Sequence, residues 1–563
     1  MIPARRGESL LAALVASHEL RLREFPTGEY RGPFCGMGVC QDCLVEVDGA
    51  PATRACLTTV EASMTVRRQA NRVTAASIPI ADSQDAARTS APLLESQVVV
   101  VGAGPGGIVA ALSAANAGAD VLLIDERPKL GGQYYKQPVT GKDLNLAEYD
   151  DPQFRGGREL IDKLERSNVT VLRAARVVGA YESLDLVVAL ENETRLVRPQ
   201  KLIAATGAYE ICYPFEGWTL PGVMTTGAAQ TLLRSYRVVP GRQVLIAGNG
   251  PLNFQVAAEL INSGVESVTL SEAANRPGLS ACNTIARMMT TAPGLTLKGA
   301  GYLSSLLRAR ASIRYGEKIL SVEPVGDAGR LRAIVGSVCG DESTRHEIEV
   351  DAICLGYGFR PSNEITRAFG CKHDAASKAG ALQTARDDDC LTSRDDIFAV
   401  GDCAGMNGAP AAESDGLIAG SVAAQMLGFE LSAQQEERLA RARSLRGRHA
   451  RFQNALWTLF EPVRDVFEVI DNDAIACRCE NLTHATIQQV VDEGESGSMG
   501  TLKRATRAGM GRCQGRYCGP AIAKMLAAKI GRPLEEADLW APRPPIKPVR
   551  IGDLAKLHLL GDD

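Results

Sequence analysis

Val98-Val99-Val100-Val101-Gly102-Ala103-Gly104-Pro105-Gly106-Gly107 changes character halfway. Four β-branched residues favour extended backbone, because they lose rotamers in a helix and pack well on a pleated sheet. The glycines then allow a tight turn in the G-x-G-x-x-G pattern, and an Ala-rich helix follows. Beyond it the apolar strand Val121 to Ile124 ends at Asp125 and Glu126, placing an acid about twenty residues on. Strand, turn, helix and acid together read as a dinucleotide site. Backbone amides approach the pyrophosphate at the positive end of the helix, and a carboxylate at Asp125 or Glu126 accepts hydrogen bonds from ribose hydroxyls.

The pattern recurs. Val244-Leu245-Ile246-Ala247 leads into Gly248-Asn249-Gly250, with Asn253 where the third glycine would stand, so a less closely packed helix is expected. Its partner strand, Ser267 to Leu270, ends at Ser271-Glu272, and an acid there favours NAD or another adenine nucleotide over NADP. A structural remnant that binds no hydride donor is the competing reading. Two further segments belong with the first site: Leu202 to Gly207, ending in Thr206-Gly207, and Ile397 to Asp402, ending in Gly401-Asp402.

With Lys129-Leu130-Gly131-Gly132 after Glu126, this set resembles the glutathione-reductase-like flavoproteins with two dinucleotide-binding domains. The resemblance implies FAD in the first site, held by Gly102 to Gly107, Asp125 or Glu126, Gly132, Gln133, Thr206 and Gly207, with Gly401-Asp402 at the ribityl chain. A solvated loop carboxylate is the plainer alternative for Asp402. Gln133-Tyr134-Tyr135 stands where the family's redox cysteines would follow Gly132, so disulfide-reductase chemistry is not supported. Gly356 to Pro361 resembles the return strand between the two domains.

Fifteen cysteines are present, and eight fall into two tight sets. Cys35, Cys40, Cys43 and Cys56 begin with the C-x4-C-x2-C spacing of plant-type ferredoxins. Soft thiolates suit iron and inorganic sulfide, and Gly36 and Gly38 let backbone amides turn toward the cluster. The alternating strand Leu44 to Val47, closed by Asp48-Gly49, folds the chain back to deliver Cys56. The unit resembles the ferredoxin-like domains of succinate dehydrogenase and molybdenum hydroxylases. Cys477, Cys479, Cys513 and Cys518 form the second set, C-x-C followed by C-x4-C, and resemble the bacterioferritin-associated-ferredoxin-like domain. The resemblances imply one 2Fe-2S cluster in each. Lys503, Arg504, Arg507, Arg512 and Arg516 would offset the second cluster's negative charge. Structural zinc is the alternative at both sets. The other seven cysteines are expected to be buried, inert thiols.

Composition bounds the rest. The length of 563 residues calls for several domains, and 45% hydrophobic with 23% charged residues is ordinary globular composition. A net charge of -4 argues against nucleic acid as a partner. No stretch reads as a membrane span or a cleaved leader, so a cytoplasmic location is expected. Six scattered histidines make histidine-based hydrolysis a poor fit.

The expected architecture is multidomain α/β: two Rossmann-like domains flanked by an α+β ferredoxin-like domain and a small helical 2Fe-2S domain. The expected boundaries are 1–70 for the ferredoxin-like domain, 71–96 for a linker, 97–215 with 350–430 for the FAD domain and 216–349 for the second nucleotide domain. A helical connection at 431–475, the second 2Fe-2S domain at 476–530 and a Pro-rich, surface-wrapping tail at 531–563 complete the chain. This arrangement resembles the larger subunits of bacterial opine, D-hydroxyproline and sarcosine oxidising complexes and of hydrogen cyanide synthase. That implies a D-amino-acid-oxidase-like flavoprotein partner that oxidises the amine, in a hetero-oligomer delivering electrons to an external acceptor. It leaves FMN open at a subunit interface. A self-contained NAD(P)H-dependent reductase and a non-catalytic electron-transfer scaffold are the competing functions. No residue is singled out as catalytic.

Overall fold

The computed structural model describes residues 1–61, 63–70, 93–139, 151–191, 193–326, 329–374, 382–462, 471–494 and 497–554. Residues 71–92 of the expected linker, 463–470 of the helical connection and 555–563 of the tail lie outside the described residues.

The valine run forms strand Leu93–Val101, parallel to Val121–Ile124 on one side and to Thr194–Ala204 on the other. Register places Val98 beside Val121 and Val99 beside Leu202. The strand begins at Leu93 rather than Gln97, because Leu93 and Leu94 pair with Leu196 and Val197. Ile397–Ala399 adds to the far side of Thr194–Ala204 in parallel, within a seven-stranded sheet. All four valines are buried, and helix Pro105–Asn116, with proline in its first turn, packs its alanines into the same core.

The second unit is a five-stranded parallel sheet in the order Val223–Thr225, Ala352–Gly356, Gln243–Gly248, Ser267–Glu272, Ser312–Tyr315. This corrects the expected change of domain at residue 350. His346–Val350 is the last strand of a three-stranded antiparallel sheet and hands the chain straight to Ala352–Gly356, an interior strand buried throughout. The return comes at Phe359–Pro361, antiparallel to Ala208–Glu210. Asn253 does not loosen its helix. Its Nδ2 donates to the Gly356 carbonyl at 2.8 Å and its Oδ1 accepts from Thr226 at 3.0 Å, in space left because a Cβ on Gly356 would lie 2.2 Å from Asn253.

In the N-terminal unit, Leu44–Val47 and Ala50–Arg54 form a hairpin around Asp48 and Gly49, whose φ angles of 50° and 81° suit a two-residue turn. Helix Leu10–Ala16 buries its apolar residues beneath it. The C-terminal unit gathers helices His484–Glu493, Met499–Thr506 and Gly519–Ile530 around Ile487, Leu502 and Leu526. Between the nucleotide units and this one runs helix Ala433–Leu459, opened by a capping box at Ser432 and Gln435. The tail does more than cover the surface. Ile546 is 3% exposed in the core beside the first sheet, and its N–H donates to the Val178 carbonyl at 2.8 Å. Among the described residues no helix is long and apolar enough to cross a membrane.

Candidate active site and cluster cradles

A continuous cavity of about 760 Å³, within the range of small-molecule sites, is lined by both nucleotide units. The first glycine turn forms one wall. Gly102 has φ 108°, and a Cβ there would lie 2.3 Å from the Ala205 carbonyl oxygen, so strand and turn meet through glycine alone. A Cβ on Gly104 would meet nothing within 4 Å, which leaves that side of the turn open. Asp125 and Glu126 both reach the cavity but differ in role. Asp125 accepts the Ala103 N–H at 2.6 Å and the Arg127 N–H at 2.8 Å, tying the turn down. Glu126 pairs with Lys547 of the tail at 2.5 Å; burial opposes its charge, but the ammonium outweighs this and holds the carboxyl at about 2.

Gly132, Gln133, Thr206, Gly207, Gly401 and Asp402 line the same cavity. Asp402 Oδ1 is buried without a hydrogen-bond partner among the described residues, and burial pushes its carboxyl up to about 6. Beyond it lie two groups that sequence reasoning missed. Glu210 accepts the Gly227 N–H at 2.8 Å and is pushed up to about 7 by burial, while Lys136, lowered to about 7 by burial, donates to Gln230 at 2.6 Å. No local motif marks either; Glu210 is signalled only by following Thr206-Gly207. Cys35 and Met37 of the first cysteine loop also line this cavity, so one cluster cradle opens on its wall.

The second glycine turn has a different environment. Gly248 and Gly250 do not line the cavity, and a Cβ on Gly250 would lie 3.1 Å from the Trp457 ring, at the end of the long helix. Asn249 Nδ2 donates to the Phe460 carbonyl at 2.7 Å and to Glu272 at 2.8 Å. Glu272 does line the cavity, but it is buried and accepts in addition from the Gly250 and Ala274 amides. The carboxylate expected to take a ribose hydroxyl is thus engaged by its own loop.

The structure brings each cysteine foursome together as two pairs. Cys35 is hydrogen-bonded to Cys40 and Cys43 to Cys56; at the other end Cys477 pairs with Cys518 and Cys479 with Cys513. Two thiolates per pair and two pairs per site match the ligand count of a two-iron cluster. Backbone amides of Met37 and Cys40 point at Cys35 Sγ at 3.5 and 3.3 Å, and Gly36 and Gly38, both at positive φ, permit that turn. Burial pushes Cys35 up, but the Cys40 thiol and these amides outweigh it and hold it at about 6. The basic residues around the second set are partly engaged elsewhere: Arg516 pairs with Glu364 of the first nucleotide unit at 3.0 Å and Arg507 with Glu480 at 2.9 Å. Of the remaining cysteines, Cys282 and Cys339 are exposed rather than buried.

Residues 96–298 and 303–416 match the family described as pyridine nucleotide-disulphide oxidoreductase. The chain belongs to this family. Residues 1–71 of this oxidoreductase match a 2Fe-2S iron-sulfur cluster binding domain, and residues 475–528 a BFD-like [2Fe-2S] binding domain. The A subunit of opine oxidase from Agrobacterium tumefaciens is 33% identical over 475 residues, covering 82% of this chain and 91% of that protein. The HcnB subunit of hydrogen cyanide synthase from Pseudomonas aeruginosa is 31% identical, covering 80% of this chain and 96% of that protein. The crystal structure of L-proline dehydrogenase from P. horikoshii superposes with a TM-score of 0.68 at 21% identity, covering 98% of this chain and 95% of that one, which shows a shared fold. The chain is an FAD-dependent oxidoreductase with two 2Fe-2S domains. The cavity fits the flavin: the unpartnered Asp402 oxygen suits a ribityl hydroxyl, and the open side of Gly104 suits a pyrophosphate.

Proposed function

We propose that this chain is the electron-transferring subunit of a multi-subunit dehydrogenase that oxidises the C–N bond of an amino acid, opine or secondary amine. Substrate oxidation takes place in a D-amino-acid-oxidase-like flavoprotein partner, and electrons pass through this chain to an external acceptor. The observation that carries the reading is the shared wall: Cys35 and Met37 line the cavity that also presents the first glycine turn and Asp402. The opine oxidase and hydrogen cyanide synthase relatives, both named as subunits, support the assembly.

When bound, FAD supplies the conversion between two-electron and one-electron transfer. The chain's own residues divide the remaining tasks. Gly102 to Gly107 and Glu126 seat the adenosine diphosphate half, Asp402 takes the ribityl chain, and Glu210 and Lys136, both buried, hold protons on the wall of the same cavity. Cys35, Cys40, Cys43 and Cys56 hold one cluster, and Cys477, Cys479, Cys513 and Cys518 the other. Trp457 over the Gly250 turn and the engaged Glu272 count against NAD as a hydride donor in the second site. FMN, if present at the interface with a partner, belongs to the assembled complex.

The test is anaerobic rapid mixing. The isolated, iron-loaded chain is expected to keep its flavin absorbance on mixing with NADH, and to lose it on adding the partner with its amine substrate. Prompt bleaching by NADH alone would establish the reductase reading instead.

A further inference from the structure

The two cysteine loops touch: a residue lying between two ligands of one set binds a residue lying between two ligands of the other. Asp42 lies between Cys40 and Cys43, and Arg478 between Cys477 and Cys479. Arg478 donates from Nε to Asp42 Oδ2 at 2.8 Å, its Nη2 lies 2.8 Å from the same oxygen in the ion pair, and its Nη1 donates to the Trp218 carbonyl at 2.8 Å. Its guanidinium carbon is 3.8 Å from the Phe34 ring centroid and 4.5 Å from that of Trp218. Beside this pair Gln41 Nε2 donates to the carbonyl of Arg512, the neighbour of Cys513, at 3.3 Å. The side chains of Arg478 and Asp42 are 3% and 1% exposed.

Stability alone is a poor reason for such a pair. Removing two charges from water costs several kcal/mol, and apolar residues of similar volume often replace a buried ion pair without loss. What apolar residues cannot supply is a guanidinium held in place by its carboxylate partner between two sites that collect negative charge. Four thiolates with iron and sulfide are net negative, and each electron accepted adds one more negative charge. Held to Asp42 and over two rings, the guanidinium is fixed in place.

We propose that Arg478 is a positioning residue for electron transfer between the clusters: clamped to Asp42 between Phe34 and Trp218, it fixes the two cradles relative to one another and keeps its guanidinium, balanced by Asp42, between them. With a cluster in each cradle, an electron passing between them would oxidise one and reduce the other, with no bond made or broken and no proton moved. The inference rests on the reading that both cradles hold 2Fe-2S clusters.

The experiment uses the full holoprotein and begins with iron and acid-labile sulfide. If the wild type holds neither, the cluster reading itself fails, separately from the role of Arg478. In loaded protein, redox titration followed by electron paramagnetic resonance gives the potential of each cluster, and the magnetic coupling of the reduced pair reports their separation. Arg478→Met keeps bulk and removes charge. It is expected to lower the potential of at least one cluster by at least a tenfold change in its reduction equilibrium, 59 mV for one electron. Asp42→Asn leaves the arginine's charge uncompensated and is expected to move potentials the opposite way. Arg478→Lys keeps the charge without the fork or the stacking, and is expected to preserve potentials while weakening the magnetic coupling. Should Arg478→Met fail to load, the lysine and asparagine variants still decide. Unchanged potentials and coupling in loaded variants, or shifts of one sign in both Arg478→Met and Asp42→Asn, overturn the proposal.

Discussion

Asp402 brings together the clearest chemical signals of the cavity: a buried carboxylate oxygen without a partner and a carboxyl pushed up to about 6 by burial. Losing a hydrogen bond to a charged group costs about 1.5–3 kcal/mol, so Asp402→Ala should weaken flavin retention by at least tenfold, read as flavin absorbance per chain after gel filtration. The same burial predicts a pH effect in flavin-free protein. An acid whose folded pKa lies above its unfolded value stabilises the fold below the unfolded value, and that stability is lost as pH rises through the folded one. Between about pH 4 and pH 7 the flavin-free wild type should therefore lose stability relative to Asp402→Asn, by up to about 3 kcal/mol, measured by denaturant titration. Equal pH profiles for the two proteins would refute the burial argument.

At the scale of elements, the parallel strands were legible because local signals agree: valine runs, glycine turns and acids at fixed offsets sit in one short window. Val121–Ile124 matches its expected span, and the Asp48-Gly49 hairpin follows from its turn residues. Contacts between remote segments left no such trace. The bond from Arg478 to Asp42 spans 436 positions, and nothing around Trp457 announces that its ring will cover Gly250. The interior strand Ala352–Gly356 belongs to the second unit, against expectation, because an all-buried strand carries no alternation to show which sheet it enters. The long helix yields two predictions. Ser432→Ala removes the cap that accepts the Gln435 N–H and should cost about 1 kcal/mol, measurable by denaturant titration. Trp457→Ala uncovers the Gly250 turn and should raise the affinity for ADP by at least about tenfold, 1.4 kcal/mol, by calorimetry. Equally tight binding by the wild type would mean that the tryptophan does not shield the turn.

Across the whole molecule, three units are joined by buried polar contacts rather than by linkers alone. Arg516 of the C-terminal unit reaches Glu364 of the flavin domain, Trp218 Nε1 donates to the Ile475 carbonyl at 2.7 Å, and Arg31 of the N-terminal unit meets Asn481 at 2.5 Å. The tail adds a fourth connection, with Lys547 on Glu126 and Arg176 donating to the Pro548 carbonyl at 3.0 Å. Lys547→Met should speed flavin loss from the dilute holoprotein by about tenfold, the equivalent of 1.4 kcal/mol, followed by the rise in free-flavin fluorescence. An unchanged rate would leave the tail no part in retaining the cofactor.

Because a ribosome makes the chain from its amino end, Ile546 and Lys547 are added only after the body they fasten. Cutting the chain before residue 546 would remove both fastenings at once.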